Sequence, residues 1–268
     1  MTERPAGSRV AQCVAVYATR ERTRTMAREA FPRRRHRVLL TRELTEFAGA
    51  FHSGLVDVAL VDLGGGGEEA WRAAALAREF PSAAFFGLLP LRVNDAGAVA
   101  RCASLDFVDV LAEGIDDAAA RDLVMPYGFS ARFAETLKEP PPALGLDREV
   151  QRDTWRCIVA HAGRSLRTDG LAESLGMTRE HLSRTFASSG APNLKRVIDL
   201  VRLIAAAELA KNPGYDVGDV ARVLGFASSS HLSSTAQRVV GTRPASLSRL
   251  RTVDLIDRFA HGRARSRV

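Results

Sequence analysis

The sequence predicts a doubly wound α/β domain followed by an all-helical domain. Three observations support this division. Apolar runs alternate with helical patterns five times before residue 138, a proline-rich stretch follows at 139–146, and no convincing strand appears from residue 147 onward. Five strand–helix repeats are typical of a parallel sheet with helices on both faces. We therefore predict domains at 1–138 and 147–268, joined by a linker at 139–146.

Each element of the first domain follows from its local pattern. The strands are short β-rich or apolar runs, and the segments between them show helical periodicity. Pro32 ends the first helix, Gly54 ends the second, and the four glycines at 64–67 close the third strand. The predicted strands are residues 10–17, 36–40, 56–63, 83–89 and 107–111. The predicted helices are residues 20–31, 43–52, 68–80, 93–104 and a last one from residue 116 onward.

The charge balance changes at the predicted linker. From Asp147 onward, 20 Lys and Arg oppose 12 Asp and Glu, a net charge of +8, whereas residues 1–146 hold 18 against 19, a net charge of −1. Consecutive prolines in the linker favour an extended, semi-rigid spacer. A basic domain indicates a polyanionic partner, because phosphate contacts release counterions. A solvated arginine-rich surface is the alternative explanation.

Bulk properties narrow the class of protein. With 46% hydrophobic and 26% charged residues, the chain can build folded cores. It has no run of 18 apolar residues, and residues 1–9 carry no apolar signal-peptide core. Its three cysteines, at positions 13, 102 and 157, form neither a CxxC pair nor a metal-ligand cluster. We therefore expect a cytoplasmic protein with reduced thiols, no membrane partner, no metal and no cofactor.

A short helix, a glycine turn and a longer helix occur twice in the second domain. The first of these helix-turn-helix units has predicted helices at 170–175 and 179–187, with Gly176 in the turn and Thr178 as the N-cap of the longer helix. Glycine suits the left-handed conformation that a tight helix-to-helix turn requires. The longer helix of such a unit is the one that a DNA major groove accepts.

The second unit repeats this arrangement. Its predicted helices span 217–224 and 229–240, with Gly225 in the turn and Ser228 as the N-cap. One long helix at 193–211 lies between the two units. A rigid spacer of this kind can place two recognition helices in successive major-groove faces, about one DNA turn apart.

Residues 150–250 resemble the DNA-binding domain of the AraC/XylS family of transcription regulators. Two correctly separated helix-turn-helix patterns, with a Gly-Phe turn and a Gly-Thr-Arg-Pro end in register, carry the resemblance. The matching residues are 171–178, 181–186, Arg202, Leu203, Ala206, Leu209, 219–226, Ser228, Ser230, Leu232, Ser233 and 241–244. The resemblance implies a sequence-specific transcription regulator that binds double-stranded DNA.

The resemblance also implies which residues contact DNA. Carried over position by position, base contacts fall on Glu180, Ser183, Arg184, Ser229, Ser230, Ser233 and Ser234. The remaining candidate contacts to bases or phosphates are Thr178, Arg179, Ser228, His231, Arg238 and Arg243. Among these, Thr178 and Ser228 fit helix-capping roles better than base contacts.

Departures from the family pattern separate the two units. The family commonly has an aromatic residue at the positions of Leu232 and Ala236, and often Arg at the position of Ser234. The second recognition helix thus offers mostly short hydroxyl groups, with Arg238 as its only cation. Serine lacks the bidentate match of arginine to guanine. We therefore expect the first unit to supply most of the sequence discrimination. We expect the second unit to contact mainly the DNA backbone.

The first domain resembles a response-regulator receiver, with Asp62 at the phosphoacceptor position at the end of the third strand. The residues that support phosphorylation are missing. Residues 18–20 are Ala-Thr-Arg where an acidic pair would bind Mg²⁺, 86–88 are Phe-Gly-Leu where a hydroxyl is expected, and no lysine precedes Lys138. Without these groups a phosphoaspartate would be poorly stabilised. We therefore expect a degenerate receiver, a pseudo-receiver, that regulates or dimerises without phosphorylation.

Other functions remain open at this stage. Asp57 and Asp62 lie on one strand, but no nucleophile–base pair or metal cluster accompanies them, so we expect no enzymatic activity. An adaptor whose helix-turn-helix units bind another protein is one alternative, because the second recognition helix is serine-rich. A response regulator, phosphorylated or not, is another. Besides DNA, a second copy of the chain and RNA polymerase are candidate partners.

Overall fold

The computed structural model describes residues 11–265, without the side chains of Ser189 and of residues 263–265. The segment 1–9, predicted to lack a signal-peptide core, lies outside the described residues. Contacts divide the described chain into two compact units. The α/β unit comprises Ala11–Arg132 with Asn212–Tyr215, and the helical unit comprises Phe133–Lys211 and the chain from Asp216.

The α/β unit is built on one five-stranded parallel sheet. Its strands are β1 (Gln12–Tyr17), β2 (His36–Thr41), β3 (Val58–Asp62), β4 (Ala84–Leu89) and β5 (Asp109–Ala112). They lie in the order β2-β1-β3-β4-β5, and every neighbouring pair is parallel. This order is one of the common doubly wound arrangements, so the predicted fold class is confirmed. The order reverses between β1 and β3, which places a crevice at the carboxyl ends of these two strands.

Helices cover both faces of the sheet. They are α1 (Glu21–Ala30), α2 (Leu44–Ser53), α3 (Glu68–Ala75), α4 (Ala96–Ser104) and α5 (Ala120–Val124). The next helix, α6 (Phe129–Thr136), begins in the α/β unit and ends in the helical unit. One apolar cluster contains Phe51 and Phe80, and the cluster on the opposite face contains Phe31 and Phe86. Because both of their faces are buried, the inner strands β1, β3 and β4 are nearly continuous apolar runs rather than alternating ones, which is why the sequence shows them clearly.

The helical unit contains both predicted helix-turn-helix units. Its helices after α6 are α7 (Glu149–Ala160), α8 (Thr168–Ser174), α9 (Arg179–Phe186), α10 (Leu194–Leu209), α11 (Val217–Val223), α12 (Ser229–Val240) and α13 (Thr252–Arg265). The long helix α10 lies at the centre, with Val197, Leu200 and Leu203 fully buried. The sequence analysis did not predict α13, whose Leu255 and Phe259 are also fully buried.

The proline-rich segment at 139–146 is folded. Pro142–Leu144 forms a short 3₁₀ turn, and Gly145 ends it in the left-handed conformation, with φ of +61°. Leu144 and Leu146 are buried in the helical unit. The segment is therefore a packed turn rather than the extended spacer that its prolines predict. The chain passes between the units after Arg132, and the domain limits at 138 and 147 stay a prediction.

Four residues between α10 and α11 belong to the α/β unit. The Asn212 side chain accepts a hydrogen bond from the Ser82 amide at 2.8 Å and donates one to the Ser82 hydroxyl at 2.9 Å. The Tyr215 hydroxyl donates to the Phe51 carbonyl oxygen at 2.9 Å, and its ring lies 5.0 Å from the Phe80 ring. A segment distant in sequence thus completes the packing of α2 and of the connection between α3 and β4.

We expect Tyr215→Phe to lower the free energy of unfolding of the α/β unit by about 1 kcal/mol, because it removes one partly buried hydrogen bond and keeps the ring. Urea denaturation of the full chain measures this change. Tyr127→Phe is the matched control, because the Tyr127 hydroxyl makes no hydrogen bond within residues 11–265 and its residue is half exposed. Equal effects of the two substitutions would show that the Tyr215 hydroxyl does not stabilise the unit.

Candidate nucleic-acid interface and the Asp62 site

The first helix-turn-helix unit consists of α8, a turn and α9. Gly176 has φ of +65°, the left-handed conformation expected for this turn. The Thr178 hydroxyl accepts a hydrogen bond from the His181 amide at 3.2 Å, so the predicted N-cap is confirmed. Leu182 and Phe186 are fully buried. Burial of these two side chains fixes which face of α9 points outward.

The outward face of α9 carries predicted contact residues. Arg179, Glu180 and Arg184 are exposed, and Ser183 is half-buried. The Arg179 Nη1 lies 3.6 Å from Asp169 Oδ1, a pair in which both side chains are more than half exposed. Such surface pairs contribute little to stability and yield readily to another anion. Within the described residues, the Arg184 side chain makes no hydrogen bond or ion pair, so it is available to a ligand.

The second unit consists of α11, a turn and α12. Asp216 and Asp219 form a capping box at the start of α11, and Gly225 has φ of +67°. The Ser228 hydroxyl accepts a hydrogen bond from the His231 amide at 3.1 Å, which confirms this predicted cap. Gly241 ends α12 in the left-handed conformation.

The outward face of α12 is rich in hydroxyl groups. Ser229, Ser230 and Ser234 are exposed, and Ser233 is half-buried. His231 is also exposed, with its ring 5.7 Å from that of Phe226. The last two of the predicted contacts, Arg238 and Arg243, differ in surroundings. Arg243 is exposed just before the 3₁₀ turn Pro244–Arg249, whereas Arg238 donates to Asp199 Oδ2 at 2.9 Å.

The two outward faces therefore carry most of the predicted contact residues, and several of these residues also have a partner within the protein. The hydroxyls of Thr178 and Ser228 cap their helices, and the Arg238 guanidinium pairs with Asp199. Sequence analysis missed Asp199, which lies 39 residues before Arg238. The sequence signal for it is an acidic residue among the mostly apolar buried residues of α10.

The Asp62 site lies at the end of β3, beside the point where the strand order reverses. The Asp62 side chain is fully buried. Arg20 Nε donates to both Asp62 carboxylate oxygens, each at 3.0 Å, and its Nη2 donates to Oδ1. The Gly64 amide donates to Oδ1 at 3.2 Å. A protein cation therefore lies directly against both carboxylate oxygens of Asp62.

The Arg20 guanidinium also pairs with a second carboxylate. Its Nη1 donates to Glu113 Oε2 at 2.9 Å, and Arg22 Nε lies 3.1 Å from Glu113 Oε1. The hydrogen bond to Asp62, and then the one to Glu113, raises the pKa of Arg20, which is therefore a permanent cation. A divalent cation needs oxygen ligands rather than an adjacent positive charge. The residues around Asp62 do not fit a bound Mg²⁺.

Asp57 has a structural role in the same unit. Its carboxylate accepts hydrogen bonds from the Cys13 amide and from the Ser130 amide, each at 2.8 Å. These bonds join the start of β1 to the start of α6. Asp57 and Asp62 lie at opposite ends of β3, so the two carboxylates do not form one site.

A comparison with known protein families agrees with the two helix-turn-helix units of the helical unit. Residues 171–249 match the family model "Helix-turn-helix domain". No curated protein matches the sequence. The chain therefore carries a helix-turn-helix domain that follows a doubly wound α/β unit.

Two solved structures are similar to this chain, with low sequence identity and a low TM-score. A response regulator from Thermotoga maritima shares 16% identity at a TM-score of 0.37, covering 42% of this chain and 94% of that one. A response regulator protein from Burkholderia pseudomallei with a phosphorylated aspartic acid shares 17% identity at a TM-score of 0.37, covering 67% of this chain and 100% of that one. These scores are low, so the α/β assignment rests on strand order and register.

Within residues 11–265, no group of three His, Cys, Asp or Glu side chains is arranged to hold a metal ion. In the same part of the chain, no helix is long and apolar enough to cross a membrane.

Proposed function

We propose that this protein is a sequence-specific transcription regulator that inserts α9 and α12 into successive major grooves of double-stranded DNA. The single observation that carries the proposal is the pair of capped recognition helices, each with one face buried and one face polar and exposed. A helix whose N-terminal polar residues face solvent is what a major groove accepts. The net charge of +8 from Asp147 onward supports a phosphate partner.

The first unit supplies most of the sequence discrimination in this proposal. Arg184 is exposed without a protein partner, and an arginine can make two hydrogen bonds to guanine. Glu180 and Ser183 lie on the same outward face. The serines of α12, with His231 and Arg243, contact mainly the sugar-phosphate backbone of the DNA. Hydroxyl groups bind phosphate or several different bases without strong preference.

The α/β unit regulates or dimerises without phosphorylation in this proposal. Arg20 donates hydrogen bonds to both carboxylate oxygens of Asp62 and lies at the position where a receiver's metal ion would bind. Dimerisation would cover apolar side chains that the unit exposes, among which Val93 is 97% and Ile115 79% accessible. A regulator bound to DNA can also contact RNA polymerase, and we include this partner in the proposal.

We expect Arg184→Ala to weaken binding to a cognate duplex by about 1–3 kcal/mol, because one good base contact contributes that much. The cognate duplex is selected by the full chain from a randomised library, and binding is measured by titration at several salt concentrations. Arg258→Ala is the matched control. It removes the same charge from an exposed position on α13, outside both helix-turn-helix units.

The control separates base contact from general attraction. We expect Arg184→Ala to leave affinity for random DNA almost unchanged and Arg258→Ala to have a small effect on both duplexes. An equal loss on cognate and random DNA would contradict a base contact by Arg184. An adaptor would show neither selection of a duplex nor a steep dependence of affinity on salt.

A further inference from the structure

Arg238 is tied to the central helix of the helical unit. Its Nη2 donates to Asp199 Oδ2 at 2.9 Å, and the pair joins the last turn of α12 to α10. The Asp199 side chain is only 10% exposed, whereas that of Arg238 is 53% exposed. Within the described residues, Asp199 has no other ion pair. If Arg238 turned toward a DNA phosphate, it would leave a nearly buried carboxylate without its cation, which is costly.

A second arginine, Arg202 on α10, contacts the turn that precedes α12. The Arg202 guanidinium lies 3.8 Å over the Phe226 ring, and its Nη2 donates to the Leu224 carbonyl oxygen at 3.2 Å. Arg202 is buried, and this burial lowers its pKa, while nearby Asp199 opposes the shift. Asp199 and Arg202 are one helical turn apart. The central helix α10 therefore holds α12 near both of its ends.

The remaining charges of the second unit are also paired. Arg222 Nη1 donates to Asp219 Oδ1 at 2.7 Å, and Asp219 belongs to the capping box of α11. Apart from His231, the outward face of α12 then presents serine hydroxyls and Gln237, which are neutral. A neutral face placed against DNA depends on the orientation of its helix, because it lacks the long-range attraction that a cation supplies.

We propose that Arg238 acts through Asp199 as a positioning residue that sets the orientation of α12, and that it does not contact a DNA phosphate. This inference rests on the proposed function. In the second helix-turn-helix unit, the arginines then stabilise the position of α12, and the serine hydroxyls face the major groove of the DNA. Asp199, a residue on the central helix, is then a determinant of DNA affinity.

The experiment compares four full-length chains on a duplex selected by the wild-type protein. They are the wild type, Asp199→Asn, Arg238→Ala and the double variant Asp199→Asn with Arg238→Gln. Each is titrated with the duplex from low to moderate salt, and the slope of affinity against salt is recorded. Amide hydrogen exchange of α12 reports whether the helix remains folded in each variant.

We expect both single variants to lose affinity on the order of tenfold, since each breaks the same coupled pair. Asp199→Asn loses affinity although it raises the net positive charge. We expect the double variant to recover most of the loss, because it leaves neither the carboxylate nor the guanidinium without its charged partner. The salt slope stays within error of the wild type in all three variants.

A phosphate contact by Arg238 gives a different pattern and would overturn the inference. In that case Asp199→Asn binds as well as the wild type or better, Arg238→Ala lowers the salt slope by about 1, and the double variant stays weak. Failure of the proposed function is distinct from both outcomes. The wild type then selects no duplex, and the Arg184→Ala and Arg258→Ala chains are indistinguishable from it.

Discussion

Replacing Arg20 by alanine will lower the free energy of unfolding of the α/β unit by about 2–4 kcal/mol. Asp62 is fully buried, and three donor–acceptor contacts from the Arg20 guanidinium reach its two oxygens. Among residues 11–265, the substitution leaves this carboxylate with only the Gly64 amide as a donor. We place the loss in the lower part of the range for buried pairs because the Arg20 side chain is 28% exposed, which lets water reach the site.

Two further variants test the cause of this loss. Arg28→Ala is the matched control, because the Arg28–Glu21 pair is exposed and its removal changes stability far less. Adding Asp62→Asn to Arg20→Ala removes the buried charge, and we expect it to recover most of the lost stability. Urea denaturation of the full chains measures all three. Equal losses in Arg20→Ala and Arg28→Ala would contradict a structural role for the Arg20–Asp62 pair.

The same pair makes a chemical prediction for Asp62. Beryllofluoride mimics a phosphoryl group on aspartate and requires a cation site beside it. Arg20 fills that site and also pairs with Glu113, so we expect no stoichiometric adduct on the wild-type chain. Mass spectrometry and titration with beryllofluoride measure the outcome. A stoichiometric Asp62 adduct would contradict the proposal that the α/β unit acts without phosphorylation.

The sequence predicts the α/β unit well because its determinants are local. Each strand contains a short apolar run. A proline follows the first helix and a glycine follows the second, at the points where the helical periodicity of the sequence stops. The pairing of Arg20 with Asp62 is not local, since 42 residues separate them. The sequence nevertheless carries the signal, which is a basic residue where a receiver has an acidic pair. Only the strand order shows that this residue reaches Asp62.

The helix-turn-helix units were predictable for a similar reason. Thr178 and Ser228 precede their helices as hydroxyl caps, and Gly176 and Gly225 occupy the left-handed turns. Two features of the helical unit escaped prediction. The Asp199–Arg238 pair depends on how α12 packs against α10, and α13 follows a Gly-Thr-Arg-Pro segment that ends the family resemblance.

The segment Asn212–Tyr215 shows the limit of local patterns most clearly. In sequence it is an Asn-Pro-Gly-Tyr turn after a long helix, and nothing in its composition distinguishes it from a solvent-exposed connection. In the structure it belongs to the α/β unit, with Asn212 bonded to Ser82 across 130 residues. Gly214 is needed there, because an ideal Cβ would lie 2.7 Å from the Phe80 ring. Contacts of this kind follow from tertiary packing and not from propensity.

A second large effect is expected at Gly163, in the connection between α7 and α8. We expect Gly163→Ala to lower the free energy of unfolding of the helical unit by about 2–5 kcal/mol, the sum of a left-handed backbone cost and an overpacking cost. Gly163 is buried with φ of +78°. An added Cβ would overlap the Ala205 side chain on α10 and touch Leu224 Cδ2 at 3.4 Å.

Gly176→Ala is the control that separates the two costs. Gly176 also has a positive φ, of +65°, but an added Cβ there meets no atom within 4 Å. It therefore changes the backbone energy without changing the packing, and we expect a loss of about 1–2 kcal/mol. Urea denaturation of both variants gives the difference. Equal losses would show that the helical unit accommodates a methyl group at position 163.

The position of Gly163 connects this loss to DNA binding. Ala205, which blocks a side chain there, lies on α10, and Leu224 immediately precedes the turn before α12. Packed interiors transmit a displacement of this size rather than absorbing it. We therefore expect the folded fraction of Gly163→Ala to bind the cognate duplex more weakly than that of Gly176→Ala. If the two folded fractions bind equally, the approach of the α7–α8 connection to α10 serves stability alone.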